Sequence, residues 1–155
     1  MKLIGVERIY PLWQCEHWCY IHHLTIISII IRSLIRILFS ADIHYKCFIG
    51  RGTVFPHDAL GTVIHPDTVI GNNCCILHGV TFGGRGGEIG VPQIGNNVII
   101  GAHSILIGNI KIGDNAIIGA GSIVIKDVPP STVVAGNPAK IIKAAEQCKW
   151  KADGK

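Results

Sequence analysis

Charge is scarce in this chain: Asp, Glu, Lys and Arg make up 15% of 155 residues, where a soluble domain usually carries about 25%. With 48% of residues apolar, disorder is excluded, and the length fits one domain with a real core. Leucine is short as well, at 8 against 29 isoleucines. Helix-rich proteins favour leucine and alanine, so this ratio, together with 19 glycines, excludes a helical bundle for most of the chain and points to strands. The formal net charge is only +4, and no run of Lys or Arg is interleaved with aromatics, so no nucleic-acid partner is expected. A small anionic ligand remains compatible with that balance. Cys15, Cys19, Cys47, Cys74, Cys75 and Cys148 lack framework spacing and read as reduced thiols of a cytoplasmic protein. No leader pattern is expected either, because Glu7, Arg8, Glu16 and His17 precede the apolar stretch.

Residues 1–41 differ from the rest of the chain and are expected to form a short N-terminal helical segment. A repeat domain is expected over 42–143 and a tail over 144–155, with a C-terminal helix. Over 21–39 nearly every side chain is apolar, while His22, Thr25, Ser28, Arg32 and Arg36 recur at steps of three and four. That is one narrow polar stripe on an otherwise greasy helix. The two arginines make a spanning helix costly, and the uncharged part is shorter than the ~20 residues a bilayer core needs. The helix is therefore expected to pack against partner subunits, with peripheral contact at a membrane interface as the other open reading. Cys15, Cys19, His22 and His23 fall at helical spacing on one face. Zinc ligand pairs usually sit closer together on loops, so no metal is expected.

From residue 43 the sequence repeats in sixes: Ile43, Ile49, Phe55; Ile64, Ile70, Ile76, Phe82; then Ile94, Ile100, Leu106, Ile112, Ile118 and Val124. A glycine often comes next, and a small or β-branched residue sits four on (Cys74, Val80, Val98, Ser104, Ala116, Ser122). One large and one small inward residue per flat strand, with a turn at each glycine, makes a hexapeptide-repeat β-helix. Two places break the pattern: three extra residues in the stretch 56–61, and a glycine-rich stretch, 83–92, without repeat chemistry. Function in a solenoid commonly sits where such insertions leave the coil.

Several segments then carry a resemblance: Asp42-Ile43-His44, His57-Asp58-Ala59-Leu60-Gly61, Val80-Thr81-Phe82-Gly83-Gly84, Ile118-Gly119-Ala120-Gly121-Ser122, Lys126-Asp127-Val128-Pro129-Pro130 and Val134-Ala135-Gly136-Asn137-Pro138-Ala139-Lys140. Over roughly residues 40–143 the chain resembles the serine acetyltransferase family of hexapeptide acyltransferases. The resemblance implies a left-handed parallel β-helix, a homotrimer, and acetyl-CoA bound between neighbouring subunits. It implies that His57 is the catalytic base, that Asp42 orients it, and that Gly83, Gly84, Ala102, Ala120 and Lys126 meet acetyl-CoA. Fifteen residues and a bulge can return the chain from Asp42 to His57 one layer away. An imidazole can take a proton from an alcohol, and a carboxylate on its other nitrogen fixes the tautomer. A backbone N–H in Gly83-Gly84 is the expected oxyanion donor. Small residues leave room for a pantetheine arm, and a lysine meets phosphate as a point charge.

Departures from the family shape the expected acceptor. The family's Arg-His pair before the second loop's proline is here Gly90 and Val91, before Pro92; the aspartate before the catalytic histidine is Pro56; and only about forty residues precede the repeats. A desolvated carboxylate needs a cation. The expected function is therefore acetyl-CoA-dependent O-acetylation of a surface-polysaccharide saccharide, as in similar short hexapeptide acetyltransferases, with His78 facing the acceptor. His65 and His103 are expected at outer corners. Serine O-acetylation for cysteine synthesis is the alternative, and a metal-dependent hydratase of the carbonic anhydrase type is a remote one, since no closely spaced histidine pair is present.

Overall fold

The computed structural model describes residues 8–87 and 89–145. Two helices come first, α1 (Ile9–Ile21) and α2 (Thr25–Phe39). The chain then coils through short strands that stack in three sheets. The first holds β1 (Asp42–Ile43), β3 (Val63–Ile64), β6 (Thr81–Gly83), β9 (Ile105–Ile107) and β12 (Ile123–Val124); the second holds β2 (Phe48–Ile49), β4 (Val69–Ile70), β7 (Gln93–Ile94) and β10 (Lys111–Ile112). The third holds β5 (Cys75–Ile76), β8 (Ile99–Ile100), β11 (Ile117–Ile118) and a closing antiparallel hairpin of β13 (Thr132–Gly136) and β14 (Ala139–Ala144). This is the parallel β-solenoid that the hexapeptide period requires.

Register gives the coil lengths. Val63 pairs with Thr81 and Ile105 with Ile123, 18 residues on, which is three hexapeptides per coil. Asp42 pairs with Val63, 21 on, and Thr81 with Ile105, 24 on. The surplus residues are the bulge near His57 and the glycine-rich loop, both of which leave the coil without breaking its stacking. Inside, the large repeat residues are buried, and Cys74, Val80, Val98, Ser104, Ala116 and Ser122 are each 0% exposed. Coils approach closely at the corner glycines: a Cβ on Gly71 would collide with the Gly95 backbone. At the corner leading from the second sheet to the third, Asn73, Asn97 and Asn115 take φ of 55°, 56° and 60°, a left-handed geometry asparagine tolerates. Beside them Asn72, Asn96 and Asp114 accept backbone N–H groups of the preceding coil at 2.9, 2.9 and 2.7 Å.

The N-terminal segment is two helices where the apolar run predicts one. His22, His23 and Leu24 form the turn between them, with His23 at φ 61°. Cys15, Cys19, His22 and His23 therefore do not share a helical face, and among the described residues no three His, Cys, Asp or Glu side chains gather as metal donors. Ser28 and Arg32 of the polar stripe turn inward, while Thr25 and Arg36 stay exposed; Ser28 is buried and its hydroxyl donates to the Glu16 carbonyl at 3.0 Å. The outer face is apolar instead, with Ile26 76% and Ile37 77% exposed. Among the described residues no helix is long and apolar enough to cross a membrane. The expected C-terminal helix and Cys148 fall on residues 146–155, outside the described residues; the last described element is β14.

Candidate active site

The corner that leads from the third sheet into the first collects the histidines. In the first coil it is the bulge Pro56–Ala59, where His57, Asp58 and Ala59 have φ of 61°, 52° and 54°. These are successive left-handed residues, each about 1–2 kcal/mol uphill without glycine. A clasp holds the turn: the Asp58 carboxylate accepts the Arg8 backbone N–H at 2.8 Å and Arg8 Nη2 at 3.1 Å. The same contact satisfies an N–H group at the start of α1. Ala59 is buried beneath, and the His57 ring is left exposed.

In later coils this corner becomes His78-Gly79, Ala102-His103 and Ala120-Gly121, tied by Gly79 N–H to Leu60 O (2.8 Å), His103 N–H to His78 O (3.0 Å) and Gly121 N–H to Ala102 O (2.8 Å). The second position is left-handed each time, with φ of 70° at Gly61 and Gly79, 57° at His103 and 67° at Gly121. His103 alone in this column is not glycine. A Cβ on Gly79 would collide with the His103 ring, so that glycine makes room for it. The outcome is a row of imidazoles: His57 and His78 lie 5.2 Å apart with planes at 88°, and His78 and His103 lie 5.0 Å apart at 89°. His78 is half-buried, and its Nδ1 is buried without a partner.

Asp42 does not join this row. Arg32 donates through Nε to its Oδ1 at 2.9 Å, Arg32 Nη2 stands 2.8 Å from the same oxygen, and Arg36 Nη1 is 3.9 Å from Oδ2. Among the described residues neither a hydrogen bond nor an ion pair links Asp42 to His57, so the structure does not bring the expected dyad together. The cause is Arg32, which α2 brings against β1 and which claims the carboxylate. Beside this ion pair Glu16 is fully buried, with both carboxyl oxygens unpartnered. Burial pushes its carboxyl up to about 8, against the pull of Arg32. Burial and the nearby Arg32 and Lys46 charges hold His44 below the ordinary imidazole range.

The residues expected to meet acetyl-CoA flank the first sheet. Ala102 and Ala120 occupy the corner before it in successive coils, Gly83 ends β6, and Gly84 and the exposed Lys126 come after its strands. A Cβ at Gly83 would meet nothing within 4 Å, so the backbone there stands open. A groove of about 640 Å³ lies elsewhere, between α1 and the second sheet, walled by Trp13, Trp18 and Phe48, and holds none of these residues. Sequence reasoning missed Glu16, the Arg8–Asp58 clasp and the partners of Asp42. Only the last had a signal, in two arginines four residues apart on a stripe leading to the first strand.

Residues 92–126 match the family described as bacterial transferase hexapeptide (six repeats). The chain is 44% identical over 135 residues to serine acetyltransferase 1, chloroplastic, of Arabidopsis thaliana, covering 86% of this chain and 43% of that protein. The chain is a serine acetyltransferase-like hexapeptide-repeat protein. The serine acetyltransferase of Brucella abortus strain S19 in complex with coenzyme A superimposes on this serine acetyltransferase-like chain with a TM-score of 0.84 at 37% identity, over 88% of this chain and 55% of that one. The soybean serine acetyltransferase complexed with serine does so with a TM-score of 0.82 at 40% identity, over 90% and 58%. The chain spans about half the length of the relatives it matches. These findings overturn the saccharide expectation, because relatives at 40% to 46% identity are serine acetyltransferases. That expectation rested on Gly90 and Val91 standing where the family has an Arg-His pair, and the side chains of one loop do not by themselves decide the acceptor.

Proposed function

We propose that the protein transfers the acetyl group of acetyl-CoA to the hydroxyl of serine, with His57 as general base, in a homotrimer that binds acetyl-CoA between subunits. One observation carries the reading: an exposed histidine is held in a left-handed turn at a coil corner, in a chain similar to serine acetyltransferases solved with coenzyme A and with serine. His57 takes the proton of the serine hydroxyl as its oxygen attacks the thioester carbonyl. A carbon–oxygen bond forms, the carbon–sulfur bond breaks, and the proton passes to the departing sulfur. The backbone at Gly83 and Gly84 is assigned to the developing oxyanion. Ala102 and Ala120 leave room for the pantetheine arm, and Lys126 meets a phosphate. His78 stands beside the base, and the base is proposed without the carboxylate of Asp42, which Arg32 holds.

Release of free CoA thiol with serine, against a panel of amino sugars and nucleotide sugars, tests the acceptor. Saturable turnover of serine is expected, and turnover of a sugar with none of serine would overturn it. His57→Ala should lose about 10²–10⁴-fold in turnover with unchanged circular dichroism. Normal turnover by that variant would remove the base assignment.

A further inference from the structure

We propose that the outer face of α2 lies in the surface of an anionic lipid bilayer, with the helix axis parallel to that surface. The proposal stands apart from the catalytic reading. Along the helix Ile26, Ile30, Leu34 and Ile37 recur at steps of three and four, which puts them on one stripe opposite Ser28 and Ile35. Ile26 and Ile37 are 76% and 77% exposed, and Ile29, Ile30, Leu34 and Leu38 are each at least half exposed beside them. At 1.5 Å per residue the fifteen residues are about 22 Å long. That is too short to cross a bilayer core and long enough to lie in its surface.

Two further features point to lipid as the occupant. Ser33 is the polar side chain within the stripe, and its hydroxyl donates to the Ile29 carbonyl at 2.9 Å. A hydroxyl satisfied inside its own helix needs no water, which is what burial against hydrocarbon demands. Charge supplies the second feature. Between residues 8 and 41 the only acidic side chain is Glu16, and it is fully buried. The exposed charge of the helical layer is therefore basic: Arg36 in the last turn of α2 and Arg8 over the Phe39 ring, with the exposed imidazoles of His22 and His23 in the turn before α2. Asp58 and Asp42 meet the two arginines from the first coil, yet the Arg8 and Arg36 side chains stay 69% and 60% exposed. An aliphatic face edged by arginine fits anionic headgroups, whose phosphates meet the guanidinium groups while the acyl chains take the isoleucines. Trp18, exposed near the end of α1, is of the kind that settles at a membrane–water boundary. A second copy would bring the same acid-free layer and no carboxylate for those arginines.

The full chain is mixed with vesicles of phosphatidylcholine alone, or of phosphatidylcholine with about a third phosphatidylglycerol, and bound protein is read by flotation. Anionic vesicles should carry at least about tenfold more protein than neutral ones, and added salt should release the excess. Ile30→Glu with Ile37→Glu puts two carboxylates at the centre of the stripe, where the fold needs neither isoleucine because both are exposed. This double variant should bind anionic vesicles at least about tenfold more weakly, with unchanged circular dichroism. No binding by the parent, or equal binding by parent and variant, would overturn the proposal. So would equal binding to neutral and anionic vesicles. A parent that stays off vesicles, and whose native mass drops in the double variant, has a second copy on this face, which also refutes it. If the double variant does not fold, hydrogen exchange on the parent decides. Anionic vesicles should then slow amide exchange in α2 and leave β10 and β11 unchanged; an α2 rate that the vesicles do not alter would sink the idea.

Discussion

Glu16 is a carboxyl in the wrong place by ordinary rules: fully buried, unpartnered, and beside an ion pair that already has its acid. Burial holds its proton to about pH 8 in the folded chain, whereas the unfolded chain releases it near 4.5. Between those values the folded state binds more protons than the unfolded one, so stability falls as pH rises, on the order of 1 kcal/mol per unit. The favourable contribution of neutral Glu16 is complete below about 4.5 and gone above about 8. The charged groups felt there are Arg32 and Asp42. Glu16→Gln should therefore flatten the fall in urea midpoint between pH 5 and 8. Parallel slopes for parent and variant would contradict the buried-acid account. At this scale the sequence was legible where a side chain's place follows the repeat period, as at the buried Cys74, Val80 and Val98. It was illegible where a side chain finds its partner through folding: Asp58 meets Arg8 fifty residues away in the chain, and Asp42 meets a helix before it does any histidine.

Among the elements, the solenoid strands were readable because a period of six repeats many times and each repeat must bury the same two side chains. The helical segment was read less well. Its apolar run carries no glycine or proline to mark an end, so the break at His22, His23 and Leu24 is set by packing of α1 against α2, with the Ser28 hydroxyl bonded to the Glu16 carbonyl. Polarity misled in a second way, since Ser28 and Arg32 turn inward beside Ile35 while most of the apolar side faces out. Where α1 begins, its Arg8 N–H is satisfied by Asp58 from the His57 turn, so one carboxylate caps a helix and secures a strained loop. Asp58→Ala should cost about 0.5–2 kcal/mol, the range for a lost cap, read as a lower melting temperature. It should also lower kcat, because the left-handed turn loses its clasp. A variant with a lower melting temperature and full kcat would separate the two roles and refute the second.

For the whole molecule, the exposed faces decide what the protein does in company. Ile26, Ile30, Leu34, Ile37 and Leu38 are each at least half exposed on α2, a continuous apolar surface of the kind that marks an interaction site. The proposed homotrimer predicts a native mass of three chains by mass spectrometry at micromolar concentration. A single-chain mass would remove both the trimer and the between-subunit site for acetyl-CoA. The coil itself has a different lesson. Six surplus residues between β6 and β9 leave the register of Thr81 on Ile105, Phe82 on Leu106 and Gly83 on Ile107 unbroken. The stack is thus indifferent to what is spliced in at that joint, and loops of other lengths can be exchanged there while the pairing on either side stays as it is.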